Sequence, residues 1–221
     1  MNANGALRAV LFDFDGTLAD TAPDLGGALN RLREQHALAP LPIETVRPYA
    51  SSGARGLLRV GFDLGPGDAN YEEMRQAFLA NYDAAICVET RLFPGIAELL
   101  AHLEERHIPW GIVTNKATRF TERMVELLGL ARRVACVVCG DTTPHMKPHP
   151  APLLAAAERL VLAPAQCGYV GDDLRDIQAA QAAGMVSFAV EYGYHGLGEL
   201  GPRQWNADAV ISLPMDLIGC L

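Results

Sequence analysis

From residue 93 onward, short and mostly apolar runs alternate with stretches of helical periodicity, and few folds accommodate that pattern. Trp110 to Thr114, Val134 to Val138, Gly168 to Val170 and Val186 to Val190 read as strands. An apolar run that shows no polar alternation is a strand covered on both faces. Between them, Ile96 to Glu105, Arg119 to Leu128, Pro152 to Leu160 and Asp176 to Ala183 repeat their apolar residues at helical spacing, and Gly129 and Gly184 close two of these helices. One more such run, Ala9 to Phe12, stands near the start of the chain and stops abruptly at Asp13. Strands alternating with helices predict an α/β fold, a doubly wound parallel sheet with helices on both faces. In such sheets ligands bind beyond the carboxyl ends of the strands, so the residue after each strand is where chemistry is expected.

The pattern is interrupted once. From about Asp24 to Asn81 the apolar residues, Leu25, Leu29 and Leu32 among them, recur at helical spacing, Pro40, Pro42 and Pro48 break the chain, and Tyr71 to Tyr82 reads as a further amphipathic helix. That stretch predicts a small helical insertion. With 221 residues, the chain suits one large domain carrying such an insertion. Lys and Arg number 18 against 26 Asp and Glu, a net charge of −8 that argues against a general nucleic-acid binder. Apolar runs fall well short of the ~18 residues a membrane span needs, and the N-terminal run lacks the features of a signal peptide, so a cytoplasmic protein without membrane attachment is expected. Five scattered cysteines do not form a disulfide framework and agree with that setting.

The strand ends carry a distinctive set of residues. Asp13-Phe14-Asp15-Gly16-Thr17 places two carboxylates around one aromatic residue, with a glycine to turn the chain. Thr114 and Asn115 follow the Trp110 strand, where a hydroxyl and backbone N–H groups can meet an anion, or cap the next helix. Lys147 is confined by prolines in the loop before a helix and can neutralise a phosphate as a point charge. Gly171-Asp172-Asp173-Leu174-Arg175-Asp176 gathers acids that repel one another unless a cation or hydrogen bonds compensate, and hard oxygen ligands of this kind suit Mg²⁺.

Taken in order, Asp-x-Asp, Thr, Lys and Gly-Asp-Asp-x-x-Asp resemble the motifs of the haloacid dehalogenase superfamily, in particular its phosphatases. Asp13 to Leu18 followed by Asp20-Thr21 looks like the first motif of the phosphoglycolate phosphatase branch. The resemblance spans nearly the whole chain. It implies a core of residues 1–20 and 90–221, with residues 21–89 as a helical cap. It also implies a mechanism. Asp13 would be the nucleophile, forming an aspartyl-phosphate. Asp15 would be the general acid and then the general base. Mg²⁺ would be held by Asp13, the Asp15 carbonyl and Asp172. Lys147 and Thr114 would hold phosphoryl oxygens, and Asp173 and Asp176 would support the metal or the lysine loop.

The partner such a site implies is a small phosphorylated metabolite. Ser51-Ser52-Gly53-Ala54-Arg55 is a donor-rich turn in the insertion, and Arg55 can fork a carboxylate. Ser52, Gly53, Arg55 and Asn115 are the expected substrate-binding residues. The stretches Ser52 to Arg55, Trp110 to Lys116, Gly171 to Ile177 and Tyr192 to Tyr194 are similar to those of the branch that hydrolyses N-acetylmuramic acid 6-phosphate in cell-wall recycling. Both that sugar and 2-phosphoglycolate carry a carboxylate beside the phosphate. His149 departs from the acid that relatives more often carry after Lys-Pro. A sugar phosphomutase of the same fold is the alternative. A zinc site from Cys136, Cys139, His145 and His149 is disfavoured, because the two pairs lie too close together for a finger. A phospho-accepting receiver domain would have a different order of acids and no insertion, and a dehalogenase needs neither a metal nor the second acid at Asp15.

Overall fold

A computed structural model describes residues 7–195 and 200–221. The first strand, β1 (Ala9–Phe12), is buried at all four positions. Its pleat divides the core. Val10 and Phe12 join one apolar cluster, and Ala9 and Leu11 join the other. A two-residue strand β2 (Ala19–Asp20) leads into four helices: α1 (Ala22–Gln35), α2 (Ile43–Val46), α3 (Gly53–Phe62) and α4 (Tyr71–Ala84). A 3₁₀ segment, Arg47–Ser52, precedes α3. The chain returns through β3 (Arg91–Leu92), which pairs antiparallel with β2. Then follow α5 (Ile96–Glu105), β4 (Trp110–Val113), α6 (Thr118–Leu127), β5 (Cys136–Val138), α7 (Ala151–Arg159), β6 (Cys167–Gly171), α8 (Leu174–Ala183), β7 (Val186–Val190) and β8 (Ala209–Ile211).

The six long-range strands form a parallel sheet in the order β5-β4-β1-β6-β7-β8. Helices cover both faces. Leu99, Leu100 and Leu103 of α5 and Phe120 and Met124 of α6 share a cluster with Val10 and Phe12. Leu153, Ala156 and Ala157 of α7 and Ala179 and Ala180 of α8 share one with Ala9 and Leu11. The doubly wound sheet with a helical cap inserted after the first strand is the fold that the alternation predicts. Among the described residues, no helix is long and apolar enough to cross a membrane.

Two boundaries shift for identifiable reasons. Val134 belongs to a turn, its N–H donating to the Leu130 carbonyl, so β5 starts later than the apolar run. α8 starts two residues earlier than its apolar spacing indicates. Asp173 caps it, accepting from the Arg175 N–H, and the Asp176 carboxylate accepts in return from the Asp173 N–H. The β2–β3 ribbon and β8 have no counterpart in the sequence reading, because two or three residues carry no readable period.

The ribbon and the helices after it are pinned by one buried acid. Asp24, in the first turn of α1, accepts from the N–H groups of Glu89 and Thr90 at 2.9 Å each and from the Thr90 hydroxyl at 2.6 Å. The outgoing and returning chain segments are thereby held together. Leu25, Leu29 and Leu32 of α1 pack in the same cluster as Leu57 and Leu58 of α3 and Phe78 and Tyr82 of α4.

Candidate active site

The centre of the sheet positions the site. β1 lies between β4 and β6, with Phe12 opposite Ile112 on one side and Val170 on the other. The residues that follow these three strands therefore emerge side by side: Asp13, Thr114 and Asp172. This is where the strand order reverses direction, the usual ligand crevice of such a sheet. Asp13 is anchored by its own N–H, which donates to the Val170 carbonyl at 2.9 Å, and the Thr114 N–H donates to Val138 at the same distance. Gly16 turns the chain away at φ +83°. A Cβ there would lie 2.1 Å from Asp172 Oδ2, so the turn needs glycine both for its backbone and for space.

Lys147 is almost fully buried, and its ammonium is enclosed by oxygen. It donates to Asp176 Oδ1 and the Tyr169 hydroxyl at 2.7 Å and to the Val113 carbonyl at 3.1 Å. Asp13 Oδ1 lies 2.9 Å from the same nitrogen, which already has three acceptors, and this buried oxygen lacks a hydrogen-bond partner. The contact is electrostatic. Burial works against the charge on Lys147, but Asp13 and Asp176 outweigh it and raise its pKa.

Asp172 is completely buried. It accepts from the Tyr194 N–H at 2.9 Å, the Ser51 hydroxyl at 3.1 Å and the Thr17 hydroxyl at 3.2 Å. Burial, then the charges of Asp13 and Asp176, hold its pKa well above the usual carboxylate range. Asp176 is also pushed up, to about 6, by burial and against the pull of Lys147. Asp173 differs. Its carboxylate is forked by Arg175, with Nε and Nη2 each at 2.8 Å, and this outweighs its burial and lowers its pKa.

Asp15 lies on the cap side of the site. Its carboxylate accepts from the Thr21 hydroxyl at 2.6 Å and from Lys116 Nζ at 3.0 and 3.3 Å. The sequence reading assigned no role to Lys116. Its side chain is only 8% exposed, and its ammonium sits 4.7 Å from the centre of the Tyr82 ring. Burial opposes its charge, yet Asp15 and Tyr82 raise its pKa.

Asp13, Asp15, Thr114, Lys147, Asp172 and Asp176 converge at this sheet edge. Asp173 sits beside them but is occupied by Arg175. Asn115, expected to meet substrate, has both ends of its amide on the backbone of Lys147, accepting from its N–H and donating to its carbonyl at 2.9 Å each. It holds the lysine loop. In the cap, Ser51 is the serine that reaches the site, through Asp172. Ser52 ends the 3₁₀ segment, Gly53 follows at φ +55°, and Arg55 is exposed on the first turn of α3. Arg175 also donates to the Ser51 carbonyl at 2.8 Å, tying the cap turn to the acidic loop. His149 is exposed and lies against His145, with the rings tilted by 35° and 4.4 Å between their centres. Ser51 and Thr21 lie within stretches that the sequence singles out but carry no expected role of their own, and Tyr169 is not marked at all. Tyr169 is one more residue of a buried strand, and nothing in the pattern marks its hydroxyl.

Asp13, Asp172 and Asp176 each bring one oxygen within 4.8 Å of the others. Asp176 is spent, with Oδ1 on Lys147 and Oδ2 on the Asp173 N–H. Asp13 keeps a buried oxygen without a hydrogen bond, and Asp172 accepts from neutral donors alone, with burial and its acidic neighbours working against its ionised form. Hard, anionic oxygens that lack a counter-charge fit a divalent cation.

A parallel sheet with a helical cap, an aspartate at the central switch point, a buried lysine beside it and an acidic loop opposite together define a hydrolase class. The haloacid dehalogenase-like hydrolase family model matches residues 10–190, and the chain belongs to that family. Its relatives are phosphatases, and it is an enzyme of that class, a phosphoric monoester hydrolase. The chain is 42% identical to N-acetylmuramic acid 6-phosphate phosphatase of Pseudomonas putida, over 96% of this chain and 94% of that protein. It is also 42% identical to phosphoglycolate phosphatase of Xanthomonas campestris, over 95% and 94%. The crystal structure of a predicted phosphoglycolate phosphatase from Haemophilus somnus matches with a TM-score of 0.86 at 25% identity, over 99% of both chains.

Proposed function

We propose that this chain is a cytoplasmic, Mg²⁺-dependent phosphatase acting on a small carboxylated phosphomonoester through an aspartyl-phosphate. The observation that carries this reading is the environment of Asp13. Its carboxylate lies at the switch point, 2.9 Å from a buried ammonium and with one oxygen free of hydrogen bonds. In the first step Asp13 attacks phosphorus, a bond from its oxygen forms, and the bond to the leaving oxygen breaks as Asp15 gives that oxygen a proton. In the second step water attacks the aspartyl-phosphate. Asp15 takes the water's proton, and the electron pair of the broken bond returns to Asp13. Lys147 and Thr114 face the phosphoryl oxygens. Asp13, Asp172 and the Asp15 carbonyl would hold Mg²⁺, which when bound shields the anionic phosphate from the anionic nucleophile.

Residues 21–89 act as the cap that selects the leaving group, with Ser52, Gly53 and Arg55 at its substrate turn. The relatives support two substrates, N-acetylmuramic acid 6-phosphate and 2-phosphoglycolate, both of which place a carboxylate near the phosphate. The test is kcat/KM for each, side by side with Mg²⁺, with Asp13→Asn as control. A strong preference for the sugar assigns the enzyme to cell-wall recycling, and a strong preference for phosphoglycolate assigns it to metabolite repair. Near-normal turnover by Asp13→Asn would remove the mechanism.

A further inference from the structure

Two donors hold the Asp15 carboxylate and a ring of the cap backs one of them, and the steps above use none of the three. Thr21 donates at 2.6 Å from the segment that enters the cap. Lys116 reaches both carboxylate oxygens from the loop after β4. Tyr82, buried in the cap helix α4, presents its ring face to the same ammonium at 4.7 Å. A buried lysine loses a strongly favourable hydration shell and is retained only where it is closely partnered. Here both of its partners are specific: one is the second acid of the site and the other belongs to the cap. Two donors arriving from different directions fix a carboxylate's position and plane, whereas one would leave it free to rotate about the contact.

We propose that Lys116 is a positioning residue for Asp15, itself held in place by the Tyr82 ring of the cap, so that the seating of the cap on the core sets the geometry of proton transfer. The assignment rests on the functional reading above, because it gives Asp15 a proton to move. Lys116 need touch neither the phosphate nor the metal. Its influence should appear only in steps where Asp15 exchanges a proton with the leaving oxygen or with water.

Leaving groups separate those steps. An alkyl phosphomonoester needs a proton on its departing oxygen, while 2,4-dinitrophenyl phosphate releases a stable phenolate that needs none. Lys116→Met keeps the length of the side chain and removes its donors. On the better of the two carboxylated substrates, this variant should lose about 30- to 100-fold in kcat with KM changed by less than about threefold, as expected for impaired acid–base catalysis. On 2,4-dinitrophenyl phosphate it should still release a rapid burst of phenolate, about one per enzyme, at a rate within about threefold of the wild type, followed by slow turnover. The Lys116→Met/Asp15→Asn double variant should be no slower than Asp15→Asn, because the lysine acts through the acid.

Three outcomes would overturn the assignment: unchanged kcat on the alkyl substrate, a burst slowed as much as kcat, or losses that multiply in the double variant. If Lys116→Met fails to fold, Tyr82→Leu supplies the second arm. It leaves the ion pair in place and removes the ring, and it should show the same pattern at about fivefold; an equal loss on both substrates would refute the coupling to the cap. Wild-type protein inactive on every phosphomonoester would sink the functional reading itself, while an active wild type with an unaffected Lys116→Met sinks only this assignment.

Discussion

Removing the Lys147 ammonium should cost stability chiefly through the carboxylate it leaves behind. The side chains of Lys147 and Asp176 are 2% and 1% exposed, and their charged atoms are 2.7 Å apart. Breaking a buried pair from one side typically costs about 3–5 kcal/mol, because the remaining charge is stranded without water. In a chain of this length that is a fall of roughly 6–20 °C in Tm. Lys147→Met should show this loss. Lys147→Met/Asp176→Asn should recover about half of it or more, because the neutral amide is no longer a stranded charge and can still accept from the Asp173 N–H. Both variants should fall at least about 100-fold in kcat, since neither offers a positive charge to the phosphoryl oxygens. Urea titration followed by tryptophan fluorescence reads the stability, because Trp110 and Trp205 are both buried. Mg²⁺ must be present in one series and absent in the other, so that the effect on Asp13 is separated from that on Asp176. A double variant as unstable as Lys147→Met alone would show that the stranded Asp176 charge is not the source of the cost.

Three further outcomes are expected. Asp172 is held well above its ordinary pKa by burial and its acidic neighbours, and a metal must displace any proton it carries. The rise in Tm on adding Mg²⁺ should therefore be larger at pH 8 than at pH 5, and equal rises would refute the proposed ligand. Asp24→Ala removes the acceptor of three hydrogen bonds, two from buried Thr90, and should cost about 2–4 kcal/mol in urea unfolding; a loss below about 1 kcal/mol would mean that the clasp is dispensable. Arg55→Ala should raise KM for carboxylated substrates far more than for p-nitrophenyl phosphate, and equal effects would remove Arg55 from carboxylate recognition.

Legibility in the sequence followed the length of the local signal. Ala9–Phe12 is readable because both faces of the strand are buried, which leaves an unbroken apolar run. The acids after it, and those after β6, are readable because burial cannot explain a charged cluster at a strand end. The β2–β3 ribbon was invisible, because two-residue strands have no period and are fixed by pairing across some seventy residues of intervening chain. The same limit applies to the site. Lys116 follows Thr114-Asn115 in sequence, but its partner Asp15 lies about a hundred residues away, and a lone lysine before a helix looks like surface charge. Asn115 is expected at substrate and its amide binds the Lys147 backbone, since an amide after a strand serves a ligand and a neighbouring loop equally well. Arg175 reads as one residue of the acidic loop, and its bond to the Ser51 carbonyl arises only when the cap turn is brought against α8.

Pairing the charges around the switch point shows why the arrangement suits a dication and a phosphate in turn. Asp176 is matched by Lys147, Asp15 by Lys116 and Asp173 by Arg175, each pair at 2.7 to 3.0 Å. Asp13 shares Lys147 without a hydrogen bond, and Asp172 has only neutral donors. Two negative charges are thus left without a full partner, and they lie on neighbouring strand ends within reach of one ion. Without a dication, burial raises the cost of keeping both ionised, which is the direction in which Asp172 is pushed. In the proposed mechanism a bound dication would neutralise the pair, and an incoming phosphate would meet Lys147 and the Thr114 hydroxyl in place of bare carboxylates. The three matched pairs serve a different end. Each fixes an acid in place while cancelling its charge, so the site can hold several carboxylates together and still admit an anion.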